Sequence, residues 1–169
     1  MRTMVLIAML AVGGCGGAST VVRDSTTSGT PMALGVVQRE LLSEPPFQEF
    51  AATYDTVQPA DEFVQMIKQV KSNVDVMVFF GTWCSDSKRD VPRFLKLADS
   101  AGIGNERITL YGLDRTKRSP DGLTETYGIE RVPTIIFLKE GREIGRITEN
   151  PNQSVEEDML LILAGPNAQ

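Results

Sequence analysis

The chain has 169 residues, a formal net charge of −5, two cysteines and no histidine. A mildly acidic balance is a poor match for nucleic acid. The lack of imidazole removes Cys–His hydrolases and histidine-based metal sites, and so few thiols cannot build a zinc cage.

Residues 1–14 carry one basic side chain, Arg2, then the apolar run 4–12 and two glycines before Cys15. This is the pattern of a signal peptide, and its apolar core is too short to span a bilayer as a helix. Small residues running into a cysteine resemble the bacterial lipoprotein signal. That resemblance implies cleavage before Cys15, lipidation of its thiol, and an exported, membrane-anchored protein facing the periplasm or the cell exterior. An ordinary signal peptide with an incidental cysteine is the plainer alternative. Removing the leader leaves about 155 residues, enough for one domain with a good core.

Residues 15–31 hold the lipidated cysteine and a Ser/Thr/Gly-rich stretch that reads as a flexible tether. Residues 32–58 are expected as an N-terminal helical extension. Within it, 32–42 fits either a short helix or a strand, Pro45-Pro46 ends it, and 47–54 is expected as a helix with Phe47, Phe50, Ala51 and Tyr54 on one side. The main domain covers 59–165. From Asp61, the spacing of Phe63, Met66, Ile67 and Val70 predicts an amphipathic helix, with Asn73 as its stop.

The stretch 74–80, VDVMVFF, is apolar on both parities apart from Asp75 and reads as a buried strand. Gly81 and Thr82 break it, and Trp83-Cys84 follows. Val91, Phe94, Leu95 and Ala98 then recur at helical spacing between Lys88, Arg89, Arg93 and Lys96, so a helix should start within a residue or two of Cys84. Unpaired N–H groups and the positive end of the dipole at such a start favour thiolates.

Gly102 and Gly104 mark a turn, and 108–113 reads as the next parallel strand. The loop DRTKRSPDG, 114–122, brings Arg115, Lys117 and Arg118, to which Arg131 is added. These are either a solvated connection or a positive patch for acidic partners and small anionic thiols. A short helix is expected at 123–127. Strands at 134–138 and 144–148 are joined by KEGRE as a hairpin. Ser154 caps a last helix with Glu157 at the capping-box position, and Val155, Met159, Ile162 and Leu163 supply its buried face. The carboxylates Glu156, Glu157 and Asp158 are first-turn charges complementing the dipole. Gly165-Pro166 stops it. The elements add up to a mixed sheet with helices on both faces.

Trp83-Cys84-Ser85-Asp86-Ser87, Pro92 inside the helix, and Arg131-Val132-Pro133-Thr134 ahead of a strand together resemble the active-site segments of the thioredoxin superfamily. The likeness covers residues 74–148, and the wording around Cys84 is similar to a bacterial subgroup that keeps one active-site cysteine. It implies an α/β, thioredoxin-like three-layer fold with a mixed central β-sheet. It also implies a cis Val132–Pro133 bond facing Cys84, and Trp83, Val132 and Pro133 as an apolar shelf for a substrate chain.

The departures are as informative. Ser87 stands where the resolving cysteine would be, so a mixed disulfide cannot be released from within the chain. The buried acid that the resemblance implies falls at Val78, and its lysine partner falls near Leu110. Asp86 suits a helix start yet opposes a thiolate. The expected chemistry is monothiol exchange: Cys84 attacks, Ser87 donates a hydrogen bond to the thiolate, and an external thiol resolves. Partners are then disulfide- or thiol-containing envelope proteins or low-molecular-weight thiols, with no cofactor and no metal. The alternatives are a redox-inert binding module of the same fold and an oxidant sensor at Cys84, the latter lacking a nearby resolving thiol.

Overall fold

The computed structural model describes residues 20–23 and 29–166. The expected signal peptide and Cys15 lie outside the described residues. No helix among those described is long and apolar enough to cross a membrane.

In chain order the elements are β1 (Thr20–Arg23), β2 (Pro31–Val36), a 3-10 turn (Arg39–Ser43), α1 (Glu49–Thr56), α2 (Asp61–Val70), β3 (Val74–Phe80) and α3 (Ser85–Ser100). They continue with β4 (Ile108–Gly112), α4 (Leu123–Thr126), β5 (Thr134–Lys139), β6 (Arg142–Thr148) and α5 (Val155–Ala164). One six-stranded sheet runs in the order β1-β2-β4-β3-β5-β6. The pair β3–β4 is parallel and every other pairing is antiparallel.

Strand alternation sorts the core into two faces. Val74, Val76, Val78 and Phe80 of β3, with Ile135 and Phe137 of β5, face the larger cluster. Phe50 of α1, Val64 and Ile67 of α2, Val91, Phe94, Leu95, Leu97 and Ala98 of α3, and Val155, Met159 and Leu163 of α5 pack there too. Phe79, Ile136 and Leu138 turn to the other face, where Tyr111, Leu113, Ile129 and Val132 join them. That second face is covered by Leu123 of α4 and Tyr127 just beyond it, together with Trp83 and Cys84. The helical cover is thus uneven, with four helices on one face and one single-turn helix on the other.

The local signals act as their chemistry requires. The Ser154 hydroxyl accepts the Glu157 amide at 3.1 Å, and Asn73 ends α2's exit at φ 49°. Glu140 and Gly141, at φ 53° and 74°, make the two-residue turn between β5 and β6 that needs positive φ at both positions. Asp75, the polar exception in β3, is exposed and pairs with Arg107 at 2.9 Å.

Three expectations are corrected. The stretch expected as a tether contains β1, because the β-branched Val21 and Val22 pair with Ala33 and Met32 of β2. The N-terminal extension is accordingly part strand: β2 bonds β4 through Gly35↔Gly112 and Val36↔Tyr111 and lengthens the sheet. In α2 the expected Ile67 is buried and Val70 packs on the core, but Val64 joins them in place of Met66, which is 39% exposed. The helix packs against α5.

Candidate active site

β3 ends buried at Phe80, and the chain turns through Gly81 and Thr82 into Trp83 and Cys84. Cys84 is the N-cap of α3, in extended conformation at φ −88° and ψ 127°. The helix runs on without interruption past Pro92 to Ser100. Cys84 is half-buried and is the free cysteine among the described residues.

Opposite it lies the loop before β5, whose Val132–Pro133 bond is cis. The Cys84 thiol donates to the Val132 carbonyl oxygen at 3.3 Å. A thiolate has no proton to give, so ionisation of Cys84 leaves that carbonyl without this donor. The side chains of Val132 and Pro133 are buried, so the loop presents backbone rather than the expected apolar shelf. Pro133 is held from behind, its carbonyl accepting the Glu149 amide at 2.7 Å.

Trp83 is fixed at three points. Its ring lies on Gly81, where a Cβ would sit 2.6 Å from the indole Cε2. Its Nε1 donates to the Leu113 carbonyl at 2.8 Å. The Arg115 guanidinium stacks over it, 4.8 Å from the ring centroid. Of the basic residues considered as a patch, only Arg115 stands over this tryptophan. Arg131 pairs with Glu149 at 3.0 Å, and Lys117 and Arg118 line a depression shared with Glu125 and Glu130. The four do not form one positive surface.

Ser87 is fully buried, and its Oγ accepts the Gly81 amide at 3.2 Å. It braces the turn from beneath instead of donating to the Cys84 sulfur, because its position on α3 faces the interior. Val78 and Leu110 pair directly across β3 and β4, both in the core. The two positions where the resemblance placed an acid and its ammonium are thus adjacent and apolar, and neither supplies a proton acceptor beneath Cys84. Burial, and then the hydrogen bond to Asp121, push the Tyr111 phenol up to about 12, which leaves it protonated at neutral pH and unsuited to act as a base.

Sequence reasoning missed Thr82 and the salt-bridge set around Arg89. The Thr82 hydroxyl is buried and accepts the Ala33 amide at 3.2 Å, so β2 is tied to the active turn. Arg89 joins Asp86, Asp90 and Asn150. The i,i+3 spacing of Asp86 and Arg89 was a usable sequence signal, and Asp90 is the next residue in the chain; the bonds Arg89–Asn150 and Ala33–Thr82 join residues far apart. No group of three or more His, Cys, Asp or Glu side chains among the described residues could hold a metal ion.

A cysteine capping the helix after a central strand and facing a cis-proline loop defines a thioredoxin-fold protein. Residues 45–160 match the family described as thioredoxin, and the chain belongs to that family. Thioredoxin from Malassezia sympodialis is 30% identical over 82 residues, covering 47% of this chain and 74% of that protein. Protein disulfide-isomerase A5 from Mus musculus is 28% identical over 81 residues, and the match spans only 15% of that longer protein. Among solved structures, a protein of unknown function from Pseudomonas aeruginosa aligns with a TM-score of 0.52 at 15% identity, over 69% of this chain and 81% of that one. At that identity the likeness speaks to the fold. Family membership supports a redox or thiol–disulfide exchange role.

Proposed function

We propose that the chain is a monothiol thiol–disulfide exchange protein of the cell envelope, of the bacterial single-cysteine type, anchored through a lipidated Cys15. The observation that carries the exchange reading is the Cys84 sulfur at the start of α3, within hydrogen-bond reach of the Val132 carbonyl beside a cis proline. The envelope assignment rests on the sequence pattern ahead of Cys15 and on the oxidising compartment it implies.

The Cys84 thiolate attacks one sulfur of a disulfide, a Cys84–S bond forms, the S–S bond breaks and the second sulfur leaves as a thiolate. Ser87 has no sulfur with which to reverse this. An external thiolate then attacks the mixed disulfide, takes up the substrate sulfur and returns Cys84 to its thiolate. Trp83 and the Val132 backbone flank the incoming chain, with the freed Val132 carbonyl accepting a strand-like hydrogen bond. Partners are disulfide- or thiol-bearing envelope proteins, or small thiols.

The test is intact mass of the chain carrying Cys15→Ser after incubation with oxidised glutathione, with iodoacetamide alkylation followed in parallel. Exchange gives one glutathione adduct that dithiothreitol removes and that Cys84→Ala abolishes. A thiol inert to both reagents would overturn exchange and leave the redox-inert binding module, in which the groove holds a partner that Cys84→Ala still captures.

A further inference from the structure

We propose that Arg89 is a positioning residue for Cys84: locked in place by Asp90 and Asn150, it neutralises the Asp86 carboxylate in the first turn of α3, beside the nucleophile. The inference rests on the exchange reading above.

Arg89 grips Asp90 with two prongs, Nε to Oδ1 at 2.8 Å and Nη2 to Oδ2 at 2.7 Å. Asp90 is only 2% exposed. A buried carboxylate in a two-pronged pair fixes the plane of the guanidinium, since the fork has one matching orientation. The remaining donors then point to defined partners. Nη1 reaches Asp86 Oδ1 at 2.8 Å, and Nη2 also reaches Asn150 Oδ1 at 3.0 Å, from the loop between β6 and α5.

This arrangement matters for the thiol because Asp86 stands two residues after Cys84, in the first turn of the helix that Cys84 caps. An uncompensated carboxylate there sets a like charge against the thiolate and cancels part of what the helix start contributes. A surface arginine free to swing would screen it weakly. Arg89 is not free: its orientation is set from the core side by Asp90. The Asn150 bond adds a link to the loop whose Glu149 amide holds the Pro133 carbonyl at 2.7 Å. The cation is therefore fixed relative to both walls of the groove.

The experiment uses the full chain carrying Cys15→Ser, so that Cys84 is its one thiol, and compares it with Arg89→Gln, Arg89→Lys and the pair Asp86→Asn/Arg89→Gln on that background. The readouts are the iodoacetamide rate near neutral pH and the rate of glutathione adduct formation. Arg89→Gln should slow Cys84 about two- to fivefold, as expected for one charge acting at a helix start. Arg89→Lys keeps the charge but loses the two-pronged grip on Asp90, and should recover only part of the loss. The pair should recover most of the loss, since it removes the first-turn carboxylate together with its counter-ion and leaves only the buried Asp90 without its partner. A merely structural arginine would not be rescued by deleting Asp86. Should Arg89→Gln fail to fold because Asp90 loses its partner, Asp90→Asn/Arg89→Gln is read in its place against the triple variant that adds Asp86→Asn. A folded Arg89→Gln with the wild-type rate, or a rate that deleting Asp86 does not restore, overturns the proposal and leaves exchange standing. A wild-type thiol inert to both reagents overturns the exchange reading, and this one falls with it.

Discussion

The Ala33 amide donates to the Thr82 hydroxyl at 3.2 Å, a bond between residues 49 apart that ties an N-terminal strand to the turn presenting Cys84. Both residues are buried, so neither group has water as an alternative partner. Thr82→Val keeps the shape and removes the acceptor, leaving a buried N–H unpaired at a cost of about 1–3 kcal/mol. Thr82→Ser keeps the acceptor and should lose much less. Chemical denaturation of the two variants side by side decides it; equal losses would mean that the threonine methyl, not the hydroxyl, holds the turn. The iodoacetamide rate of Cys84 should shift in the valine variant alone.

Gly112 is required by close approach. It sits at the end of β4, paired with Gly35 of β2, and an added Cβ would overlap the Ala33 carbonyl. Backbone cannot swing aside as a flexible side chain can, so Gly112→Ala must push β2 off β4. The expected loss is about 1–3 kcal/mol, with hydrogen exchange at Ala33 and Val36 accelerated more than at Val76 in the sheet centre. Uniform acceleration across the sheet would contradict a local displacement.

Ser87→Cys tests the monothiol assignment directly. A thiol placed at this position has a route to attack a mixed disulfide on Cys84. Oxidised glutathione should then yield an internal disulfide with no retained glutathione, where the parent chain keeps the adduct. A retained adduct in the variant would show that residue 87, buried against the Gly81 amide, cannot reach the sulfur. Sulfur is the weaker acceptor for that amide, so a loss of about 1 kcal/mol should accompany the change.

Asp99 joins the extension to α3 and gives the fold an acid-sensitive contact. Burial pushes its carboxyl up, but hydrogen bonds from Arg39 and Tyr54, with the charges of Arg39 and Lys96, outweigh that and hold it below the ordinary value. The Arg39 Nη1 and Tyr54 hydroxyl bonds measure 2.9 and 2.7 Å. A carboxyl with a folded value below its unfolded one stabilises the protein above the unfolded value of about 3.9, and that stability is lost as pH falls through the folded value. Asp99→Asn should therefore cost about 1–2 kcal/mol at neutral pH and flatten the dependence of stability on pH in the acid range. An unchanged acid slope would place the sensitivity on another carboxylate.

Much of the framework was legible because its signals are local. The capping hydroxyl of Ser154, the Glu140-Gly141 turn and the alternation along β5 act within a few residues, where sequence spacing is spatial spacing. Cys84 as the cap of α3 was legible for the same reason: the apolar run stops and the helical period starts on either side of it. β1 was not. Four residues in a Ser/Thr/Gly-rich stretch become a strand only when β2 offers its backbone, and β2 reads as strand only once docked on β4. In α2, Ile67 and Val70 were legible from spacing, whereas the burial of Val64 in place of Met66 was not, because the neighbouring α5 lies about ninety residues on.

By itself the sequence determined the chemical inventory: one thiol in the domain, no resolving partner at Ser87, no acid at Val78, no imidazole anywhere. It also determined the order of strands and helices around that thiol, since hydrophobic period and turn chemistry are properties of short stretches. The tertiary structure alone decided what surrounds the sulfur. Val132 meets the sulfur directly, while Thr82 with Ala33 and Arg89 with Asn150 tie down the turn and the helix that carry it, by hydrogen bonds between residues tens of positions apart. Such bonds are directional and short-ranged, so they exist only after packing of the two sheet faces has fixed every backbone segment to within about half an ångström.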